Sequence, residues 1–263
     1  MSDSGRQESE LPAFEVWPGN GPVLLLIHGL LSCRWQWQPN LEALSRFSTP
    51  VVIELWGHGR SATPKEPAAY SVAAYLEALE RIRQRVGAER WFVCGQSYGA
   101  GLAIHYALAH ADRTLGLIFT NSRSALSGGR LDPPPDDLVP ATRDALEALP
   151  FHPKNARRFP QDLKQKMLRE AAKLDVAAVR HGISTTLPEL SARESFGTLK
   201  VPTLLINGKW EKAFQPDRAF AFRALSGLEF ADLEGGHSVN VEAADAFNAT
   251  VSDFIRGGPR SQT

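Results

Sequence analysis

Four apolar residues, Trp91 to Cys94, run directly into the pentad Gly95-Gln96-Ser97-Tyr98-Gly99, and the helix-forming stretch "AGLAIHY" follows at once. A chain that leaves a buried strand and enters a helix within five residues must reverse sharply. The positions two before and two after the bend then pack almost against each other, which glycine alone permits without strain. Gly95 and Gly99 occupy those positions, so Ser97 is expected to project from the carboxyl edge of a sheet. The amino end of the next helix would direct its free amides toward the same space.

Five further β-type runs share the character of "WFVC": "VLLLI" at 23–27, "VVIEL" at 51–55, "LGLIFT" at 115–120, "TLLIN" at 203–207 and "LEFADL" at 228–233. Several are apolar throughout, as strands covered by helices on both faces must be. Between them, Val72, Tyr75, Leu76, Leu79, Ile82 and Val86 keep a helical period that Gly87 closes, and Phe247, Val251, Phe254 and Ile255 do the same near the end. Alternating strands and helices predict a doubly wound α/β fold with a mostly parallel sheet. The rhythm breaks over 121–199, where "LDPPPDDLVP" precedes helical patterns that include Leu163, Met167, Ala171 and Leu174. The expected organisation is a core from 1–120 and 200–263 with a helical cap inserted at 121–199. The tail "RGGPRSQT" is read as frayed.

Charge excludes some function classes. Twenty-nine basic residues balance 29 acidic ones in no long blocks, so no net field favours nucleic acid or an anionic membrane. The opening "MSDSGRQESE" lacks the apolar core of a secretory signal, and "VLLLI" is too short to span a bilayer. Two cysteines, Cys33 and Cys94, support neither a disulfide framework nor a zinc site, and Cys94 sits in an apolar run where burial is expected. The setting read from these features is cytosolic. Gly19-Asn20-Gly21 precedes a strand instead of joining strand to helix, and His-rich metal spacing is absent, so the reading calls for no cofactor and no metal.

A serine hydroxyl attacks only when a base removes its proton. Of seven histidines, His237 in "DLEGGHSVNVEAADAF" follows the last expected strand and precedes the last helix, on a loop opening at the same edge as Ser97. Its carboxylate partner is sought after "TLLIN", where "GKWEKAFQPD" places Glu211 on the loop at the strand's carboxyl end. Ser97, Glu211, His237 is the serine, acid, histidine order of a strand-elbow hydrolase. Asp217 is the competing acid, although its later position suits a helix start, where a capping or dipole role explains it.

With "LLIHGLLS" at 25–32, "ELWGHGRS" at 54–61, "GQSYG", "INGKWE" at 206–211 and "GGHS" at 235–238, the chain resembles the α/β-hydrolase fold family over nearly its whole length outside the cap and tails. That resemblance implies an oxyanion hole built from the amides of Leu30 and Tyr98, with His28 and His58 holding loop shape. Family members often carry aspartate where this chain has Glu54 and Glu211, and only "AFEVWP" reads as a leading antiparallel strand. Serine at the elbow argues against the haloalkane dehalogenases and epoxide hydrolases of this fold, which place aspartate there.

Acyl chemistry is left: a cofactor-independent serine hydrolase that cleaves a small carboxylic ester or related acyl substrate through an acyl-enzyme. Trp35, Trp37 and Trp210 are candidates to wall the acyl pocket, with core anchoring the competing role for any tryptophan. Arg123, like Arg34, is a candidate to meet a substrate carboxylate. Rival readings are a carbon-carbon bond hydrolase of the ring-cleavage type, an acyltransferase, a lyase, a cofactor-free haloperoxidase-like enzyme, and a low-turnover ligand-binding homologue.

Overall fold

A computed structural model of the chain describes residues 11–128 and 139–257. Seven strands form one sheet: β1 (Phe14–Val16), β2 (Val23–Ile27), β3 (Thr49–Ile53), β4 (Trp91–Gly95), β5 (Thr114–Thr120), β6 (Thr203–Gly208) and β7 (Glu229–Leu233). Their spatial order is β1-β3-β2-β4-β5-β6-β7, with β1 antiparallel to β3 and all other neighbours parallel. β1 is the leading strand expected from "AFEVWP". Any strand before it would fall in residues 1–10, outside the described residues.

Helices α1 (Gln38–Ser45), α2 (Val72–Arg85) and α3 (Tyr98–Ala109) accompany the first four strands. The segment joining β5 to β6 carries α4 (Arg123–Leu126), α5 (Arg143–Ala148), α6 (Gln161–Ala171), α7 (Val176–His181) and α8 (Leu187–Glu189), with a π-helical turn at Gly182–Thr186. Helix α9 (Gln215–Ala224) precedes β7, and α10 (Val239–Glu242) and α11 (Ala244–Ile255) close the chain.

The sheet is covered on both faces because its strands alternate two apolar sets. Leu25, Ile27, Val51, Ile53, Val93, Leu117, Phe119 and Leu205 pack with Tyr75, Leu79 and Ile82 of α2 and with α3. Leu24, Leu26, Val52, Cys94, Ile118, Leu204 and Ile206 face the other way, onto Leu41 and Leu44 of α1 and Phe247, Val251 and Phe254 of α11. A fully buried leucine or valine of this kind contributes about 2 kcal/mol, so this double burial supplies the main driving force for the fold. Helix α2 starts where the Ser71 hydroxyl accepts from the Ala74 amide at 3.2 Å and stops at Gly87, whose φ of 71° makes the left-handed cap.

Among the described residues the segment between β5 and β6 contains helices and no strand. The proline run that opens it lies for its greater part at 131–138, and the frayed-tail reading falls largely on 258–263; both stretches are outside the described residues. Ala171 and Leu174 join Leu146, Leu149, Val179 and Ile183 around Leu31, the residue that leaves β2 on the loop. Leu163 and Met167 instead close on Cys33 and Val241. These helices are therefore seated on the loop that follows β2 and on α10. Among the described residues no helix is long and apolar enough to cross a membrane.

Candidate active site

Backbone strain is concentrated where the sequence places its chemistry. Among the described residues, Ser97 (φ 55°) and Leu31 (φ 61°) are the non-glycine residues with positive φ. Ser97 sits between β4 and α3 with ψ −117°, and although it occupies the cap position its side chain makes no cap hydrogen bond. The flanking glycines explain how the bend closes. A Cβ on Gly95 would stand 2.1 Å from the Gly99 carbonyl oxygen, and one on Gly99 would stand 2.4 Å from that of Ile27.

The hydroxyl freed from capping meets His237: Oγ lies 2.8 Å from Nε2. On the opposite side of the ring, Nδ1 lies 3.0 Å from each carboxylate oxygen of Glu211. Burial works to raise the Glu211 pKa, but the hydrogen bond and charge of His237, with help from Asn121 and Arg123, hold it below the usual carboxylate range. An ionised carboxylate can only accept, so Nδ1 carries the proton and Nε2 is left to accept from Ser97. Asp217 takes another role. It lies in the first turn of α9, and its carboxylate is 3.4 Å from the Arg193 guanidinium; burial pushes its pKa up despite Arg193 and Arg123.

Leu30 and Tyr98, whose amides the resemblance assigns to an oxyanion hole, line the same cavity as Ser97 and His237. The Leu31 amide is taken, because it donates to His58 Nε2 at 3.2 Å, while Nδ1 of that ring meets the Trp56 carbonyl at 2.9 Å. His28 is arranged alike: Nε2 accepts from the Leu55 amide at 3.1 Å and Nδ1 meets the Gly29 carbonyl at 2.7 Å. Each ring is fixed as the neutral Nδ1–H tautomer, since a second ring proton would point at an amide proton. Burial pulls the pKa of His28 down to about 4 and that of His58 to about 3.

These shifts carry a stability prediction. An unfolded histidine takes its proton near pH 6.5, and these two do so only near 4 and 3 when folded. Between those limits the unfolded chain binds more protons, so stability falls as pH drops below about 6.5 and is fully present above it. The combined loss by pH 4.5 should reach roughly 3 to 5 kcal/mol. Urea midpoints at pH 7.5, 5.5 and 4.5 measure it, and a His58→Gln variant should show a shallower acid limb. A midpoint that does not move between pH 7.5 and 4.5 would contradict the neutral buried pair.

The loops are locked together by groups far apart in sequence. Gln96 Nε2 donates to the His237 carbonyl at 3.0 Å. Gln36 Oε1 receives the Ser32 hydroxyl and the Gly29 amide, and the Gln36 carbonyl accepts from Asn240 Nδ2 at 3.0 Å. Asn240 also meets Asn40, which bonds Asn248 at 2.9 Å. This buried amide network ties the loop after β2 to the helix after His237. Asn121, at the end of β5, exchanges two hydrogen bonds with Gly208 and so steadies the strand end that leads to Glu211.

Glu54 is fully buried and accepts from the backbone and side chains of both Arg34 and Arg60 at 3.0 to 3.4 Å. The turn accommodates its extra methylene because Gly59, at φ 54°, leaves open the space its carboxylate fills: a Cβ there would stand 1.8 Å from Oε1. Arg34 is thereby committed to Glu54.

At Ser97 and His237 opens a cavity of about 510 Å³, lined from the segment between β5 and β6 by Phe151, Phe159, Met167, Ile183 and Leu187, and also by Arg123. The tryptophans do not share in it. Trp37 is fully buried on the far face of the sheet, its ring 6.1 Å from Phe247, because the helical turn before Pro39 directs it into the layer of α1 and α11. Trp35 lies outside the lining, stacked by Arg34 at 4.6 Å and Lys166 at 5.0 Å. Trp210 is 45% exposed, donates to Glu234 and carries Arg158 on its face, also outside the lining. All three assignments to the acyl pocket are corrected. The sequence reading also missed Gln36, Gln96, Asn40 and Asn240; for the two asparagines, a polar residue within an apolar helical pattern, as in "PNLEAL" and "SVNVE", was the available signal.

A parallel sheet with an elbow serine, and a histidine and acid supplied by the loops after β7 and β6, defines a class, and comparison with known proteins agrees. The sequence matches the alpha/beta hydrolase fold family over residues 22–185, and the chain belongs to that family. Protein ABHD8 of Homo sapiens is 27% identical over 253 residues, covering 90% of this chain and 56% of that protein. The chain spans between 27% and 56% of the length of the curated relatives it matches. The enol-lactonase of Burkholderia xenovorans LB400 superposes with a TM-score of 0.78 at 24% identity, covering 93% of this chain and 96% of that one. The meta-cleavage product hydrolase of Pseudomonas fluorescens IP01 gives 0.73 at 18% identity, covering 93% of each. At these identities the likeness is one of fold.

Proposed function

We propose that the chain is a serine hydrolase acting on a small carboxylic ester or related acyl compound, with 1–120 and 200–263 as its core and 121–199 as a cap over the site. The observation that carries this reading is the unbroken chain from Glu211 through His237 to Ser97, at 3.0 and 2.8 Å. A serine kept only for structure would cap α3, and this one does not.

In the proposed reaction the Ser97 oxygen attacks the substrate carbonyl carbon while Nε2 of His237 takes its proton. The carbonyl oxygen becomes an oxyanion and accepts from the Leu30 and Tyr98 amides, reinforced by the amino end of α3. Collapse breaks the bond to the alcohol, which leaves with the proton held by His237. Water then attacks the acyl-serine ester, His237 takes its proton, and the carboxylic acid leaves as Ser97 is restored. Glu211 stays ionised throughout and stabilises the imidazolium. The apolar side chains of the insert bury the acyl or alcohol chain and exclude bulk water.

A panel of para-nitrophenyl esters, run beside a vinylogous 1,5-diketone, tests the reading. Ester turnover without diketone cleavage is expected. Diketone cleavage with slow ester turnover would move the chain to carbon-carbon bond hydrolysis, and inertness toward both would leave a scaffold without this chemistry.

A further inference from the structure

The charged groups around the cavity do not cancel. Its lining holds two carboxylates, Glu211 and Glu242, and, besides His237, four basic side chains, Arg123, Arg157, Arg158 and His152. Both carboxylates are committed: Glu211 to His237, and Glu242 to the Gly236 amide at 3.0 Å and Arg158 at 3.4 Å. Arg158 is committed to Glu242 and to the face of Trp210 at 4.6 Å. His152 accepts the Lys154 amide on Nδ1, and burial lowers its pKa, so it adds no charge near neutrality.

Arg123 and Arg157 are left: each lines the cavity, and among the described residues neither guanidinium makes a side-chain hydrogen bond or an ion pair within 4.0 Å, although the Arg123 charge acts on Glu211 and Asp217 through space. Elsewhere Arg34, Arg60, Arg83, Arg193 and Arg218 are each paired with a carboxylate. With Arg158 spent on Glu242 and Arg123 acting on Glu211 and Asp217 only through space, two solvent-exposed guanidinium groups on the wall of a largely apolar cleft leave an excess of positive charge that favours an anion, and their planar forks match a carboxylate.

We infer that the substrate carries a carboxylate beside its apolar body, held by Arg123 and Arg157 at the cavity wall. This deepens the acyl-transfer reading of the same site and rests on it for the reacting group. Arg123 enters from α4, directly after β5, and Arg157 from the stretch before α6, so the two come from separate parts of the insert. Hydrolysis of such a substrate releases a second acid group when the carboxylate lies on the acyl side, or a carboxylated alcohol when it lies on the other.

The test uses Ser97→Ala protein, so that binding is read without turnover. Hemiesters of succinic, glutaric and adipic acid are compared with neutral esters of matched length, and carboxyphenyl esters with phenyl esters. At least one charged member should bind about ten-fold tighter than its neutral counterpart. That preference should fall toward unity when Arg123→Gln and Arg157→Gln are added, and as salt is raised. If no charged member is preferred, or the preference survives both substitutions, the inference is wrong. Should the double variant fail to accumulate, the single substitutions and the salt titration decide by the same criterion. A charged preference in Ser97→Ala alongside wild-type protein that hydrolyses no ester would remove the hydrolase reading and leave this one standing.

Discussion

Replacing Ser97 by alanine should lower kcat for any ester the protein turns over by about 10⁴-fold or more, and should abolish labelling by a fluorophosphonate probe. The side chain makes a single hydrogen bond of its own, to His237, and caps nothing, so its loss removes the attacking atom and little else. The folded state should consequently persist: the thermal midpoint of the variant is expected within a few degrees of wild type, since no buried group loses its only partner. Equal labelling of wild type and variant would show that the probe reacts elsewhere and would withdraw the nucleophile assignment. Loss of labelling together with unfolding would instead assign Ser97 a structural role that its geometry does not suggest.

The second large effect is expected at the acid. Glu211→Gln preserves side-chain volume but presents an amide to Nδ1, and an amide N–H facing the ring favours the tautomer in which Nε2 carries the proton and cannot accept from Ser97. Turnover should drop by about 10² to 10⁴-fold, mostly in kcat, with folding retained. Asp217→Asn provides the contrast. Its carboxylate meets Arg193 and not His237, so turnover should stay near wild type and only a partly exposed ion pair worth well under about 1 kcal/mol is lost. Steady-state kinetics on both variants distinguishes the two acids, and wild-type turnover in Glu211→Gln with loss in Asp217→Asn would transfer the role.

Much of the architecture was legible because burial on two faces leaves a strong trace. The runs at 23–27, 91–94, 115–120 and 203–207 coincide with β2, β4, β5 and β6 to within a residue. The run at 51–55 is shifted: β3 is Thr49–Ile53, and Glu54 ends the strand because its carboxylate gathers the donors of Arg34 and Arg60 in the following turn. The positions of Ser97, His237 and Glu211 were legible for a related reason. Each stands on the loop or turn leaving a strand, and parallel strands bring their carboxyl-end loops to one edge of the sheet.

Tryptophan carried no such information. An indole is equally at home beneath a helix, across a guanidinium or on a pocket wall, and Trp35, Trp37 and Trp210 take the first two kinds of place. Nor could the sequence pair Gln36 with Asn240, 204 positions apart, or reveal that Arg157 faces the same cavity as Arg123.

Chain order and local chemistry alone therefore determined the sheet, the elbow and the candidates for the relay, since these depend on apolar periodicity and on where glycine is tolerated. The three-dimensional packing decided which side chains face the cavity, which cations make no direct ion pair there, and which of two acids reaches the histidine. Those outcomes depend on contacts between segments whose separation along the chain says nothing about their distance in space.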